Sequence, residues 1–332
     1  MMYLDKEHCL LDIETNGLSR EKHHVVCIGV MYLNEKNEVT TRQWSLRTID
    51  EEQNLLIAFI NFIENFKAIY TYSGKSFDWP FLLARMAYYH LTPPSHLLLI
   101  DMKKVLSHLS PMRTNLEKIL GFRRENSSSG KALVKLYETY ATSGEAIYHK
   151  LILGHNLEEL KSLLLFYKLY YMLYHLKSFP LSIEPIQDAE NHHLILSFDL
   201  PFAFETDFIF QLDSFEIEIL KHSPLLRIIV PLYEQTLKQA LTPTKDYYYI
   251  PSQKQLMHKS LAGFIPNTLK RKATKDECYV SKYDVYFKLY TTFKVATEPW
   301  YDEMKQIYFP FSMDDSFKRL ITNQLFYYFF QN

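Results

Sequence analysis

The stretch His8–Leu18, HCLLDIETNGL, decides how the first half of this chain reads. It opens on an apolar run, Cys9, Leu10 and Leu11, and then sets Asp12 and Glu14 on either side of Ile13. On a strand, side chains two apart project from one face, so the two carboxylates stand together while Ile13 points the other way. Thr15, Asn16 and Gly17 are turn formers and end the strand. Two carboxylates on one face repel unless a cation joins them. Hard oxygen donors of this kind suit Mg²⁺ or Mn²⁺. A solvated strand end is the competing reading.

Outward from this strand, His24–Leu33 and Thr41–Leu46 are further strand-like runs, joined by the turn residues Asn34–Asn37, which predicts a three-stranded meander. Glu51–Phe66 carries Leu55, Phe59, Phe62 and Ile63 at helical spacing. A strand at Ala68–Tyr72, a helix from Asp78 to His90 and a strand at His96–Ile100 follow, the last ending at Asp101. Helices dominate Met102–Leu176, interrupted by the polar loop Arg123–Gly130. Three strands and then alternating helices and strands describe an α/β domain, a mixed sheet flanked by helices.

The texture changes at Lys177–Asn191, where Pro180, Pro185 and a polar run read as a linker. Strands are expected beyond it at His193–Phe198, Phe208–Leu212, Phe215–Leu220, Leu225–Val230, Tyr247–Ile250 and Val280–Leu289, with a closing helix at Asp314–Phe329. The expectation is two domains, 1–177 and a strand-rich α+β domain at 178–332, and 332 residues suffice for both.

Composition narrows the function. A net charge of -1 argues against a protein that coats nucleic acid by bulk positive charge. The first 177 residues hold 21 Lys+Arg and 19 Asp+Glu, and the remainder 16 and 19, so any nucleic-acid contact is a local groove. Cys9, Cys27 and Cys278 form no CxxC pair, which argues against a zinc ribbon or disulfide framework and suits a reducing cytoplasm. The N-terminal residues carry acids before any apolar run, unlike a signal peptide. The most apolar stretch, Leu160–Leu176, is broken by Lys161, Lys168 and His175, so no membrane span is expected. The chain reads as cytoplasmic.

Two further signals join Asp12 and Glu14. In Ser73–Gly74–Lys75–Ser76–Phe77–Asp78, a strand ends in a small-residue turn and an acid opens a helix. Taken alone, Asp78 reads as an N-cap. In His155–Asn156–Leu157–Glu158–Glu159, His155 and Glu159 lie four apart and share a helical face, a spacing that also suits a surface pair. Together the three segments supply four carboxylates and a base, the inventory of a two-metal hydrolase.

At these residues the chain resembles the DEDD-type 3′-to-5′ exonucleases of the ribonuclease H-like superfamily, most closely a bacterial predicted-exonuclease branch. DIETNGL at Asp12–Leu18 resembles the first exonuclease motif, TYSGKSFDWPFL at Thr71–Leu82 the second, and HNLEE at His155–Glu159 the third. The resemblance spans residues 7–176. It implies a ribonuclease H-like fold in which Asp12, Glu14, Asp78 and Glu159 hold two Mg²⁺ or Mn²⁺ ions and His155 handles the proton of the attacking water. It also implies that Thr15, Asn16, Gly17, Leu18, Ser73 and Phe77 contact substrate, with core packing as the alternative for Phe77. The implied substrate is the 3′ end of single-stranded DNA or RNA. Two positions depart from the pattern: Ser73 stands where relatives usually have Asn, and Glu159 where they have Asp. The departure at Glu159 leaves a second reading, a catalytically degenerate protein that binds nucleic acid or a protein partner.

Other segments have plain readings beside functional ones. Asp101 reads as a helix N-cap or a support for the acids. Arg123–Arg124 and Lys270–Arg271–Lys272 read as solvated loops or phosphate contacts. Tyr247–Tyr248–Tyr249 reads as a strand with one face in a core, or as a stacking platform. His258–Lys259 has no evident ligand set. Lys245–Phe264 resembles a tail of some relatives that has no assigned role.

Overall fold

Strand β1 (His8–Thr15) buries Cys9, Leu10, Leu11 and Ile13, and a nearly continuous apolar strand β2 (Val25–Leu33) pairs antiparallel with it. In the computed structural model, which describes residues 4–125, 130–187, 192–288 and 299–330, β3 (Val39–Ser45) completes the meander. Helix α1 (Glu52–Ile63) leads to β4 (Ala68–Thr71), which lies parallel to β1. Helix α2 (Asp78–Tyr88) leads to β5 (Leu98–Asp101), parallel to β4. The sheet order is β3-β2-β1-β4-β5, the mixed sheet expected from sequence. Four helices follow: α3 (Lys103–Leu106), α4 (Arg113–Ile119), α5 (Gly130–Ser143) and α6 (Ala146–Tyr174). Part of the expected polar loop, 126–129, lies outside the described residues.

The parallel pairing of β1 with β4 covers only residues His8 to Leu10. Past Leu10 the edge of β1 is open to side chains from elsewhere, and the end of the strand becomes available for a site. A hydrophobic core that includes Ile13, Phe59, Phe81 and Leu82 joins β1 to α1 and α2. Beneath it sits a buried ion pair. Glu52 accepts from Arg85 Nε at 2.9 Å and Nη2 at 2.7 Å, from the Val25 backbone N–H at 2.9 Å and from Tyr89 at 3.1 Å, with His24 Nδ1 2.7 Å away. This ties α1, α2 and the start of β2 together.

Contacts divide the chain into two units. The first comprises Met1–Phe179, Asp199–Phe210 and Ile219–Leu225. Its returning segment packs on α6: the Lys168 ammonium donates to the Ala203 carbonyl at 2.5 Å and lies 4.6 Å from the Phe204 ring centroid.

The second unit, described by itself, is strand-rich. Its larger sheet follows the order β14-β16-β15-β10-β7-β6, from β6 (Leu181–Gln187), β7 (His192–Asp199), β10 (Leu225–Ala240), β14 (Tyr279–Lys288), β15 (Trp300–Tyr301) and β16 (Ile307–Pro310). The short strands β8 (Phe208–Gln211) and β9 (Glu216–Ile219) fall where sequence places them. A separate sheet β12-β11-β13 is built from β11 (Tyr247–Ile250), β12 (Gln255–His258) and β13 (Arg271–Lys272), with the short helix α7 (Lys259–Ala262) beside it. Helix α8 (Asp315–Phe330) closes the chain and buries Phe317, Ile321, Leu325 and Phe329.

One sequence expectation fails here. The middle of the segment read as a linker is the strand β6, with Pro185 paired opposite Leu194. β6 stands at the end of the sheet order, and an edge strand tolerates a residue that has no N–H to donate. Residues 188–191 of that segment, and Leu289 of the expected last strand, lie outside the described residues.

Candidate active site

Asp12 and Glu14 leave β1 on the face that meets α6, while Ile13 enters the core on the other side. What lets α6 approach this closely is Gly29, which lies directly across from Asp12 on β2. A Cβ at Gly29 would stand 2.0 Å from Asn156 Oδ1. Into this space Asn156, fully buried, places an amide that donates to Asp12 Oδ2 at 3.0 Å and to the Asp12 carbonyl at 3.2 Å. Gln43 of β3 donates to Asn156 Oδ1 at 2.8 Å and so orients that amide.

Asp78, the first residue of α2, reaches the site from the turn that follows β4. Its turn is held by Asp101, whose carboxylate accepts from the backbone N–H groups of Ser73 at 2.9 Å, Lys75 at 3.1 Å and Lys103 at 3.0 Å. Asp101 thus supports the turn that carries Asp78, whereas its N-cap reading does not hold: the N-cap of α3 is Met102, and no side chain caps that helix. Ser73 adopts φ 70°, a left-handed conformation that Asn tolerates better than most residues. The N-cap reading of Asp78 does not hold. Helix α2 has no side-chain cap, and Asp78 Oδ1 instead accepts the Ile13 N–H at 3.3 Å, between the two β1 acids.

The third segment completes the group. From α6, His155 Nε2 lies 3.7 Å from Glu14 Oε1 and 3.7 Å from Glu159 Oε1. Burial, followed by the charges of Asp78 and Glu159, pushes the Asp12 carboxyl well above the usual range. Burial and the charges of Asp12, Glu159 and Asp78 do the same to Glu14. Asp78 is raised by burial to about 6. Burial lowers His155, which keeps its imidazole neutral near pH 7. The buried polar atoms that have no hydrogen-bond partner among the described residues include Glu14 Oε1 and His155 Nδ1. The structure therefore brings Asp12, Glu14, Asp78, His155 and Glu159 into one electrostatic cluster.

Glu159 differs from the other acids. It forms ion pairs with Arg113 and Arg124. The same two arginines hold Glu117: Arg113 Nε at 3.2 Å, Arg124 Nε at 3.0 Å and Arg124 Nη2 at 2.6 Å, with Ser162 donating at 2.7 Å. Arg113 lies 5.5 Å from the Tyr72 ring centroid and 5.6 Å from that of Phe166, and its charge draws the Asp12, Glu14 and Asp78 carboxyls downward. Arg124 is thus no solvated loop residue, whereas Arg123 is exposed. Among the described residues, no three His, Cys, Asp or Glu side chains are already set around one point as metal ligands.

The expected substrate residues surround the end of β1 in different ways. Thr15 Oγ1 donates to the Gly17 carbonyl at 2.8 Å, and Asn16 Oδ1 accepts the His24 N–H at 2.6 Å, so both shape the turn. Leu18 is 82% exposed at its tip. Phe77 packs against the core, 5.6 Å from the Phe81 ring. Arg113, Arg124, Asn156 and Gly29 went unremarked in the sequence as parts of the site. Each acts through a partner distant in the chain, so only the acid–base motifs they serve carry a local signal.

Residues 9–171 match the model of a family described as the RNase H superfamily. The mixed sheet and its helices form a ribonuclease H-like domain. Among solved structures, the chain is similar to that of the family B DNA polymerase from the hyperthermophilic archaeon Pyrobaculum calidifontis. The identity is 12% and the TM-score 0.42, over 79% of this chain and 41% of that one, so the chain spans about two fifths of the polymerase's length. No curated protein matches the sequence. Among the described residues, no helix is long and apolar enough to cross a membrane.

Proposed function

We propose that the protein is a divalent-metal-dependent nuclease that hydrolyses phosphodiester bonds from the 3′ end of single-stranded DNA or RNA. The observation that carries this reading is the set of three crowded carboxylates, Asp12, Glu14 and Asp78, raised by burial beside a neutral His155. Such a set is costly without a cation and is the usual mark of a functional site. The match of residues 9–171 to the model of a superfamily whose proteins are usually nucleases adds to it.

A pair of Mg²⁺ or Mn²⁺ ions fits the donors present. They are hard oxygen ligands, and Glu14 Oε1 is a buried acceptor with no hydrogen-bond partner among the described residues. Asp12, Glu14 and Asp78 would hold the ions, joined by Glu159 if it turns from its arginines. Bound there, the ions would offset the carboxylate charge, acidify a water and stabilise charge developing on the phosphate. The residues do the rest. Asn156 fixes the Asp12 rotamer, Asp101 fixes the turn that delivers Asp78, and His155, neutral and within reach of Glu14, takes or orients the proton of the attacking water. Leu18 and Ser73 would meet the terminal nucleotide.

The deciding experiment incubates the purified protein with 5′-labelled single- and double-stranded DNA and RNA under Mg²⁺, Mn²⁺ or EDTA. A shortening ladder that needs metal and vanishes in Asp12→Ala, Glu14→Ala and Asp78→Ala is expected. Cleavage that persists in EDTA, or an Asp12→Ala protein as active as the parent, would refute the proposal. The engagement of Glu159 by Arg113 and Arg124 favours a second reading, a degenerate protein that binds without cutting. Calorimetric Mn²⁺ binding with no cleavage on any substrate selects it.

A further inference from the structure

The three-stranded sheet of the second unit concentrates charge that the rest of the chain lacks. From Lys245 to Glu277 there are seven Lys or Arg and three Asp or Glu, a net +4 in a chain whose total is -1. The strand register sorts these charges onto two faces. Tyr249 pairs with Arg271 and Leu256, and Tyr247 with His258, so these residues share one face. There Arg271 lies 4.8 Å from the Tyr249 ring centroid and is neutralised by an ion pair to Glu277. Lys259, in α7, is likewise matched by Asp246 at 2.9 Å.

The opposite face is different. Tyr248 pairs with Lys272 and Met257. The Lys272 ammonium lies 4.0 Å, and that of Lys270 5.2 Å, from the Tyr248 ring centroid. Each ammonium is fixed by a backbone carbonyl, Lys272 by that of Lys245 at 2.9 Å and Lys270 by that of Ala262 at 2.5 Å. A carbonyl orients an ammonium without cancelling its charge, and among the described residues neither lysine has a carboxylate within ion-pair range. Two residues beyond Ala262, Phe264 is 88% exposed, and Leu261 at 60% and Leu269 at 55% are exposed in the same stretch of chain. Held cations, with an exposed aromatic residue two positions past the carbonyl that fixes one of them, match a ligand with a charged backbone and flat apolar faces. Single-stranded nucleic acid has both, and an acidic peptide lacks regularly spaced flat faces.

We propose that Lys270, Lys272 and Phe264 form a grip for single-stranded nucleic acid, the ammoniums meeting phosphates and the Phe264 ring stacking on a base. The choice of a single strand over a duplex rests on the nuclease reading; the presence of an anion-binding face does not. The test uses the full chain in EDTA, where metal-dependent cleavage is silent, and follows the anisotropy of fluorescein-labelled dT and U oligonucleotides against a duplex. Binding of single strands is expected. Phe264→Ala should weaken it about tenfold, as loss of one stacked base does. Lys270→Gln combined with Lys272→Gln should weaken it at low salt and flatten the dependence of log affinity on log salt by about 1.4. Phe264 makes so little contact that its variant folds as the parent does, and circular dichroism checks the lysine pair. The proposal is overturned by single-strand affinity unchanged in both variants, by tight duplex binding indifferent to Phe264→Ala, or by no binding of any nucleic acid. A parent that cuts with Mg²⁺ yet binds identically in all variants removes the grip and leaves the nuclease reading standing. A parent that never cuts but loses binding in the variants does the reverse.

Discussion

Two sets of buried acids in the first unit have similar burial and opposite character. Glu52 is fully buried and Glu117 is 4% exposed; Glu14 and Asp78 are each 9% exposed. Burial pushes all of them toward protonation. In Glu52, donors from Arg85, His24 and Val25 more than offset that push and hold the carboxyl below its ordinary range. In Glu117, Arg124, Ser162 and Arg113 do the same. Asp12, Glu14 and Asp78 instead face one another, and their carboxyls rise. The difference lies in what surrounds each acid. An acid ringed by donors is a tie between elements, whereas acids crowded together leave room for a cation that arrives from outside. Glu159 stands between the sets: it belongs to the crowded cluster by position and to the arginines by its ion pairs.

The sharpest way to test this division is to remove one member from each set. His155→Ala, which touches the crowded set, should cost about 10²–10⁴-fold in cleavage rate while leaving Mn²⁺ affinity largely unchanged. A rate within a few-fold of the parent in a single-turnover assay would make His155 structural. Glu52→Ala, in the tied set, leaves Arg85 buried without its partner and should cost about 3–5 kcal/mol of stability in urea denaturation. Cleavage per folded molecule should survive, and a stable Glu52→Ala protein would show that the pair contributes little.

The pH dependence should separate the sets by sign. A carboxyl raised on folding supports stability at low pH and loses that support as pH rises through its folded value. For Asp78 that value is about 6, against an ordinary 3.8. In EDTA at pH 7.5, Asp78→Asn should therefore be more stable than the parent by about 1–3 kcal/mol, since each pKa unit is about 1.36 kcal/mol. The gap should narrow as pH falls below about 6 and close only near the ordinary 3.8. His155, lowered by burial, opposes this trend but is common to both proteins. Glu52 and Glu117, held low, lose their stabilising effect only as pH falls below their ordinary 4.5. Thermal melts of both proteins across this range check the prediction, and an Asp78→Asn protein less stable than the parent at pH 7.5 would contradict it.

The smallest effect concerns Glu159. Glu exceeds Asp by one methylene, roughly 1.5 Å of reach. Because Glu159 is held by two arginines, Glu159→Asp should change the cleavage rate by less than about tenfold, or ~1.4 kcal/mol. If the parent is inert and Glu159→Asp cuts, the arginine-held glutamate is what disables the site.

Much of this domain follows from local pattern. The alternation in Cys9–Glu14 was enough to put Asp12 and Glu14 on one face and Ile13 in the core, because a strand's two-residue period does not depend on its neighbours. The apolar spacing of Glu51–Phe66 located α1 for the same kind of reason. The linker reading at Lys177–Asn191 failed because Pro185 is a break in a central strand but tolerable at an edge, and edge position is a property of the whole sheet.

By itself, then, the sequence determined the three acidic segments, the order of elements around them and the sharing of a helical face by His155 and Glu159. The tertiary structure alone decided which acids have cations. Arg124 and Glu159 are 35 residues apart, Arg85 and Glu52 33, Asp78 and Ile13 65, and Asn156 and Asp12 144. No helical or strand period reaches across such separations. Whether a buried carboxylate is neutralised or crowded depends on what the fold packs within a few ångströms of it, because in a low-dielectric interior the nearest charges and donors set the energy.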